Sequence, residues 1–336
     1  MGGWSVPLII IIILGGMKMS DEEIEASVDN TVGSVIMRCA SCGTPEVDDI
    51  KLRKCTACYL VKYCSIKCQK DHRKQHKRDC KKRAAELRDE FLFKQPESSH
   101  LGDCPICCVP LSLDPLKSIM LSCCSKLLCN GCEHTNMLRF HAASSPVRAS
   151  SHPSCPFCRE PVPVTEGELI EQRMKRIEVN DPIAIHQEGT ERYCRGDYSG
   201  GFDYLSRAAK LGVIDAHFRL SVMYDRGQGV EKDNGKKIHH AEKAAIGGHP
   251  RARFVLGCEE WNNGSYERAV KHFIIAATQG EDFAIKELMN AFRKGKVSKE
   301  CLASVLRAHK DTVDATKSPQ RKEAEEFDHT YYFGGG

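Results

Sequence analysis

The sequence predicts a mostly α-helical chain in which two small, cysteine-built cross-brace modules precede an α-solenoid of helical repeats. Three observations predict it. Sixteen of the 19 cysteines lie between Cys39 and Cys158, largely as CxxC pairs. Aromatic residues make up only 7% of the 336, so the cysteine-rich part has little with which to build a hydrophobic core. In the second half, the phrase AAKLG at 208–212 returns as AAIGG at 244–248 and AATQG at 276–280. Periods in that range are the mark of a solenoid, whose units bury their apolar faces on each other.

The global numbers exclude some functions. A net charge of +4 is too weak a bias to argue for a nucleic-acid partner. A mean hydropathy of −0.40 excludes a polytopic membrane protein. Crowded CxxC pairs with interspersed histidine point to metal in a reducing compartment rather than to disulfides, so the chain is expected in cytoplasm or nucleus.

Residues 1–37 read as a disordered lead. The run Leu8–Leu14 is wholly apolar, but it falls short of the ~20 residues that span a bilayer. No Lys or Arg precedes it, as a signal peptide requires. The first 16 residues are expected to be an upstream extension.

Residues 38–95 hold the first cysteine cluster and a charged helical extension. The candidate ligands are Cys39, Cys42, Cys55, Cys58, Cys64, Cys68, His76 and Cys80. Eight such ligands suit two tetrahedral Zn²⁺ sites. Cys64/Cys68 and His76/Cys80 are each four apart, which places both members on one face of a helix. So few apolar residues are available that metal must stabilise the fold, at roughly 10 kcal/mol or more per ion. With YCSxxCQ at 63–69 and HKxxC at 76–80, this segment resembles a MYND finger. The resemblance implies interleaved ligands: Cys39, Cys42, Cys64 and Cys68 on one ion, and Cys55, Cys58, His76 and Cys80 on the other. It also implies binding of short proline-containing peptides, although Arg73 stands where many family members have tryptophan. His72 falls outside the ligand spacing and reads as a helix-surface residue. The stretch Lys62–Arg88 is locally basic, with 11 Lys/Arg against three acidic residues. It reads as a solvated helix face, with phosphate binding the rival, and no interleaved aromatics accompany it.

Residues 101–163 hold the second cluster: Cys104, Cys107, Cys123, Cys124, Cys129, Cys132, Cys155 and Cys158. CPIC at 104–107 and CPFCR at 155–159 resemble a RING finger. That likeness implies a cross-brace, with Cys104, Cys107, Cys129 and Cys132 on one ion and Cys155, Cys158 and two middle residues on the other. Lys126 occupies the place of the usual histidine, so the adjacent Cys123 and Cys124 are the natural substitutes. Two neighbours reach one ion only through a tight turn, which keeps His134 as an alternative ligand. Cys108 is a spare thiol. By the same likeness Ile106, Pro156 and Arg159 are the residues that would contact a ubiquitin-conjugating enzyme. Four zinc ions per chain are expected, two in each module.

Thr165 and Glu168 form a capping-box signal for a connecting helix over 165–181, ended by Asp181-Pro182. Residues 182–312 then hold the repeats. Ala216, Ala252 and Ala284, and Leu220, Leu256 and Leu288, keep the offsets of the AAxxG phrase. Small alanines permit close helix approach, and the terminal glycine supplies a left-handed C-cap. These units resemble Sel-like repeats, relatives of the tetratricopeptide repeat. Cys194, Cys258 and Cys301 read as small buried residues of repeat helices. Residues 313–336 are expected to be a disordered tail.

Two functions compete. One is a zinc-dependent adaptor that binds proteins or peptides through the MYND finger and repeats. The other is a RING-type ubiquitin ligase in which the RING-like finger positions a conjugating enzyme and the other modules recruit substrate. No catalytic side chain is assigned in either. A lysine methyltransferase is set aside, because the repeats leave no room for its catalytic domain. Neither nucleic acid nor membrane is expected as a partner.

Overall fold

The computed structural model describes residues 37–47, 49–143 and 153–327. The expected lead, apart from Met37, and the proposed extension therefore lie outside the described residues. The chain divides into two units, one ending at Lys94 and the other starting at Gln95.

The first unit is a minimal scaffold. A two-residue antiparallel ladder pairs β1 (Arg53–Lys54) with β2 (Lys62–Tyr63), and one long helix, α1 (Ile66–Leu92), follows. Ser65 caps α1 by accepting from the Cys68 N–H. The buried core is Leu52, Tyr63 and the thiols Cys39, Cys55 and Cys58. Cys64 precedes the cap, so it is not on the helix, as its spacing from Cys68 had suggested.

In the second unit, β3 (Ser118–Leu121) and β4 (Lys126–Cys129) form a hairpin in register Leu121↔Lys126. It leads directly into α2 (Asn130–Ala143). Leu111, Leu121 and Leu128 form a small core with Cys104, Cys129, Cys132 and Cys155. Next comes α3 (Glu166–Glu178), opened by the full Thr165/Glu168 capping box.

The repeats begin with α4 (Pro182–Cys194), for which Asp181 is the N-cap and Pro182 the first residue. They continue through α5 (Tyr198–Lys210), α6 (Ile214–Arg226), α7 (Asn234–Ile246), α8 (Pro250–Asn262), α9 (Tyr266–Thr278) and α10 (Asp282–Arg293). The repeated alanines and leucines are buried in this stack. Each AAxxG phrase ends a helix in one way. The glycine has φ near +90° (Gly212, Gly248, Gly280), and the next residue's N–H donates back to the first alanine's carbonyl. That next residue (Val213, His249 or Glu281) is also the N-cap of the following helix. One phrase thus closes one helix and starts another, which keeps every connection short.

Residues 313–327 do not form the expected disordered tail. Helix α11 (Lys299–Ala315) runs into this stretch, and α12 (Pro319–Glu326) follows, with Arg321 and Ala324 buried. Ser318 as cap and Pro319 as first residue start a helix that packs on α2. Its buried residues find a surface in the second module. Cys194 is exposed rather than buried, because it lies in the last turn of α4; Cys258 and Cys301 are half-buried. Among the described residues, no helix is long and apolar enough to cross a membrane.

Candidate metal centres

Four CxxC pairs share one local geometry. In each, the first cysteine's carbonyl accepts from the N–H of the residue after the second cysteine: Gly43, Tyr59, Cys108 or Arg159. All four of these residues have positive φ, between 55° and 76°. The first cysteine's N–H in turn donates to a carbonyl beyond the turn, as from Cys39 to Thr44 and from Cys155 to Glu160. The knuckle turns both sulfurs to one side. Its left-handed position strains a non-glycine residue by about 1–2 kcal/mol, so three of the four knuckles need something to hold them. This also explains Cys108: it is a knuckle residue, exposed and outside every thiol cluster.

The knuckles and helices gather the ligand atoms into four groups, each with all its atoms within 4.8 Å of one another. The structure brings together Cys39, Cys42, Cys64 and Cys68, and separately Cys55, Cys58, His76 and Cys80. In the second module it brings together Cys104, Cys107, Cys129 and Cys132, and separately Cys123, Cys124, Cys155 and Cys158. Sulfurs on a tetrahedral zinc, at about 2.3 Å each, stand about 3.8 Å apart. The observed separations are 3.5 Å for Cys42–Cys64 and Cys64–Cys68, and 3.8 Å for Cys55–Cys80, Cys107–Cys129 and Cys124–Cys155. Cys58 Sγ lies 3.2 Å from His76 Nε2. All nineteen cysteines are free thiols, and these spacings far exceed a disulfide bond of about 2.05 Å. The residues present fit zinc.

Electrostatics points the same way. Burial opposes the Cys39 thiolate, but the N–H groups of Cys42, Cys64 and Ser41 bring its pKa down to about 6. The Cys58 side chain brings Cys55 down to about 4, while Cys55 and burial push Cys58 far up. Cys104 repeats the Cys39 case, also reaching about 6 through N–H groups of Cys107, Cys129 and Ile106. Neighbouring thiols cannot all ionise unaided. A dication at the centre supplies the missing charge.

The adjacent Cys123 and Cys124 reach one group because they sit in the four-residue loop of the β3–β4 hairpin. There the Cys124 and Ser125 N–H groups both donate to the Leu121 carbonyl, and Ser125 adopts φ 57°. His134 stands outside the group, with its ring 4.8 Å from that of Phe327. His72 also lies outside; it stacks on His76 and shares a 3.1 Å hydrogen bond with the Tyr63 hydroxyl, which would steady the His76 ring. Ile106, Pro156 and Arg159 are all exposed, each inside or just after a knuckle.

A fifth group escaped the sequence. His100, Asp215 and His249 bring one atom each within 4.8 Å. His249 Nδ1 accepts from the Ala252 N–H, so the neutral ring carries its proton on Nε2. That nitrogen faces Asp215 Oδ1 at 3.3 Å, and His100 Nε2 faces the same oxygen at 3.1 Å. A protonated nitrogen cannot ligate a metal. The group is a hydrogen-bonded clamp, which fastens the segment just before Cys104 to α6 and α8. Burial opposes the Asp215 carboxylate, yet the two imidazoles hold its pKa well below the usual range.

Family comparison matches two parts of the chain. Residues 39–80 match the MYND finger family, and residues 184–213, 214–249 and 259–281 match the Sel1 repeat. Chitin synthase regulatory factor 4 of Schizosaccharomyces pombe is 33% identical over 86 residues, which are 25% of this chain and 14% of that protein. The crystal structure of a Sel1 repeat protein from Oxalobacter formigenes aligns at 26% identity and a TM-score of 0.39, over 44% of this chain and 65% of the other. That of a protective antigen of uropathogenic Escherichia coli, displaying an SLR fold, aligns at 20% and 0.36, over 50% of this chain and 37% of the other.

Proposed function

We propose that this chain is a zinc-dependent adaptor that binds other proteins through its MYND finger and its helical repeats, with a RING-like finger as a third module. One observation supports it above the rest: each of the four thiol groups offers four protein ligands. Catalytic zinc keeps a position open for water or substrate, whereas structural zinc is closed by protein. Four closed centres make scaffolding their task. Sixteen residues are the ligands in this reading: Cys39, Cys42, Cys64 and Cys68; Cys55, Cys58, His76 and Cys80; Cys104, Cys107, Cys129 and Cys132; Cys123, Cys124, Cys155 and Cys158. Binding of the zinc-loaded full chain to a library of short proline-containing peptides tests it, beside a Cys58→Ser variant. Saturable binding that Cys58→Ser abolishes is expected; no binding, or equal binding by both, contradicts the reading.

A second reading, a ubiquitin ligase, is favoured by the exposure of Ile106, Pro156 and Arg159. These are the positions that a RING finger uses to hold a conjugating enzyme. The solvent-facing guanidinium of Arg159 could bridge that enzyme and its ubiquitin through its planar donors. Autoubiquitination across a panel of conjugating enzymes, lost with Arg159→Ala, is the expected result. No activity with any of them removes the ligase and leaves the adaptor.

A further inference from the structure

We infer that Arg321 is the outer partner of the metal held by Cys104, Cys107, Cys129 and Cys132, so that helix α12 completes a centre built far upstream. The inference rests on the proposed reading of that quartet as a zinc site. Arg321 is 7% exposed. Its Nη1 donates to the carbonyls of Pro110 and Thr316, both at 2.6 Å. Its Nη2 donates to the Val109 carbonyl at 2.9 Å and points at Cys107 Sγ, 3.7 Å away and 214 residues earlier.

Two of those carbonyls, from Val109 and Pro110, follow directly on the Cys104–Cys107 knuckle. Among the described residues, no carboxylate lies within ion-pair distance of this guanidinium. A buried cation with only neutral acceptors is costly. Among the described residues, the group within its reach that would be anionic is the cysteine quartet, and four thiolates around Zn²⁺ carry a formal charge of about −2. Each side supplies what the other lacks. A donor to a ligating sulfur spreads that charge and orients the ligand, which is the usual work of outer groups around a metal.

The backbone is shaped for the approach. Gly131 lies between Cys129 and Cys132. A Cβ there would meet the Arg321 nitrogen at 2.8 Å and the Gln320 carbonyl carbon at 2.9 Å, so only glycine lets α12 come this close. Further along, Phe327 packs on His134, and Lys117 pairs with Glu325 at 2.8 Å. The helix is thus held against α2 at several points, with the guanidinium on the Cys104–Cys107 knuckle.

The test is zinc release from the full chain to a chromogenic chelator, counted ion by ion, with helix content followed alongside. In Arg321→Gln, one of the four ions is expected to leave about 10-fold faster or more, with the others unchanged. Arg321→Lys, which keeps the charge and loses the fork, should recover part of the difference. In cadmium-substituted protein, the resonance of one all-sulfur site should move in Arg321→Gln and the others should not. Unchanged release of all four ions overturns the inference alone. Loss of solenoid helix in Arg321→Gln overturns it too, because the arginine would then serve the fold at large. A wild-type chain that holds only two ions overturns both this inference and the zinc reading beneath it.

Discussion

At the scale of single residues, the buried charges of the repeats set the strongest expectations. Arg173 of α3 reaches Glu188 of α4 at 3.0 Å, with side chains 3% and 10% exposed, and Arg192 holds the other carboxylate oxygen at 2.8 Å. Removing one partner strands the other in the core. Glu188→Ala should therefore cost about 3–5 kcal/mol, read as a lower urea midpoint of the helix signal; a change within about 0.5 kcal/mol would refute the pairing. Buried imidazoles set a pH limit. His217 and His240 share a 2.9 Å Nδ1–Nδ1 hydrogen bond, so one ring donates and the other must accept. Burial brings His217 down to about 4 and His240 and His272 to about 3. Their unfolded value is about 6.5, so the unfolded chain takes up these protons first as pH falls. This stability is complete above about pH 6.5 and is lost as pH drops toward the folded values, at roughly 1.4 kcal/mol per histidine for each pH step of one between them. Urea midpoints compared at about pH 7 and about pH 4 check the sign, and equal midpoints contradict it.

Elements repeat two devices, and both were partly legible. The AAxxG phrase could be read because a close helix contact needs alanine, a left-handed cap needs glycine, and both recur at fixed offsets. The knuckle could be read only as CxxC. Nothing in the sequence marks Tyr59, Cys108 or Arg159 as left-handed, since that conformation is imposed by the hydrogen bonds of the turn. The same limit applied to Cys64. Spacing put it on a helix with Cys68, but Ser65 is the better cap and the helix starts after it. Glycines inside helices carry a further expectation. A Cβ on Gly257 of α8 would stand 2.5 Å from Phe273 Cε1, and Phe273 is buried in α9. Overpacking costs about 1–3 kcal/mol, while alanine gains about 1 kcal/mol in helix propensity. Gly257→Ala should lower the melting midpoint of the helices; a midpoint at or above wild type would show that the ring moves aside freely.

For the whole molecule, what the sequence hid is long-range. The candidate ligands could be proposed from the sequence because zinc needs few residue types at tight spacing. The clamp of His100 on Asp215 and His249 and the seat of Arg321 on the second module join residues 115 and 214 positions apart. No local pattern encodes such pairs. For that reason α12 fell within the expected disordered tail, although its arginine is buried. Chemistry also divides the chain. The repeats rest on a conventional core of Ala, Leu and Phe, whereas each finger buries only two or three aliphatic or aromatic side chains beside its thiols. There, in the proposed reading, metal would stand in for hydrophobic burial. The most direct measurement is the zinc content of the purified full chain. Four ions per chain, with removal by a strong chelator unfolding both fingers while the repeat helices persist, is the expected result. Two ions or fewer would contradict it, because the second cluster would then fold without the metal proposed for its four cysteine pairs.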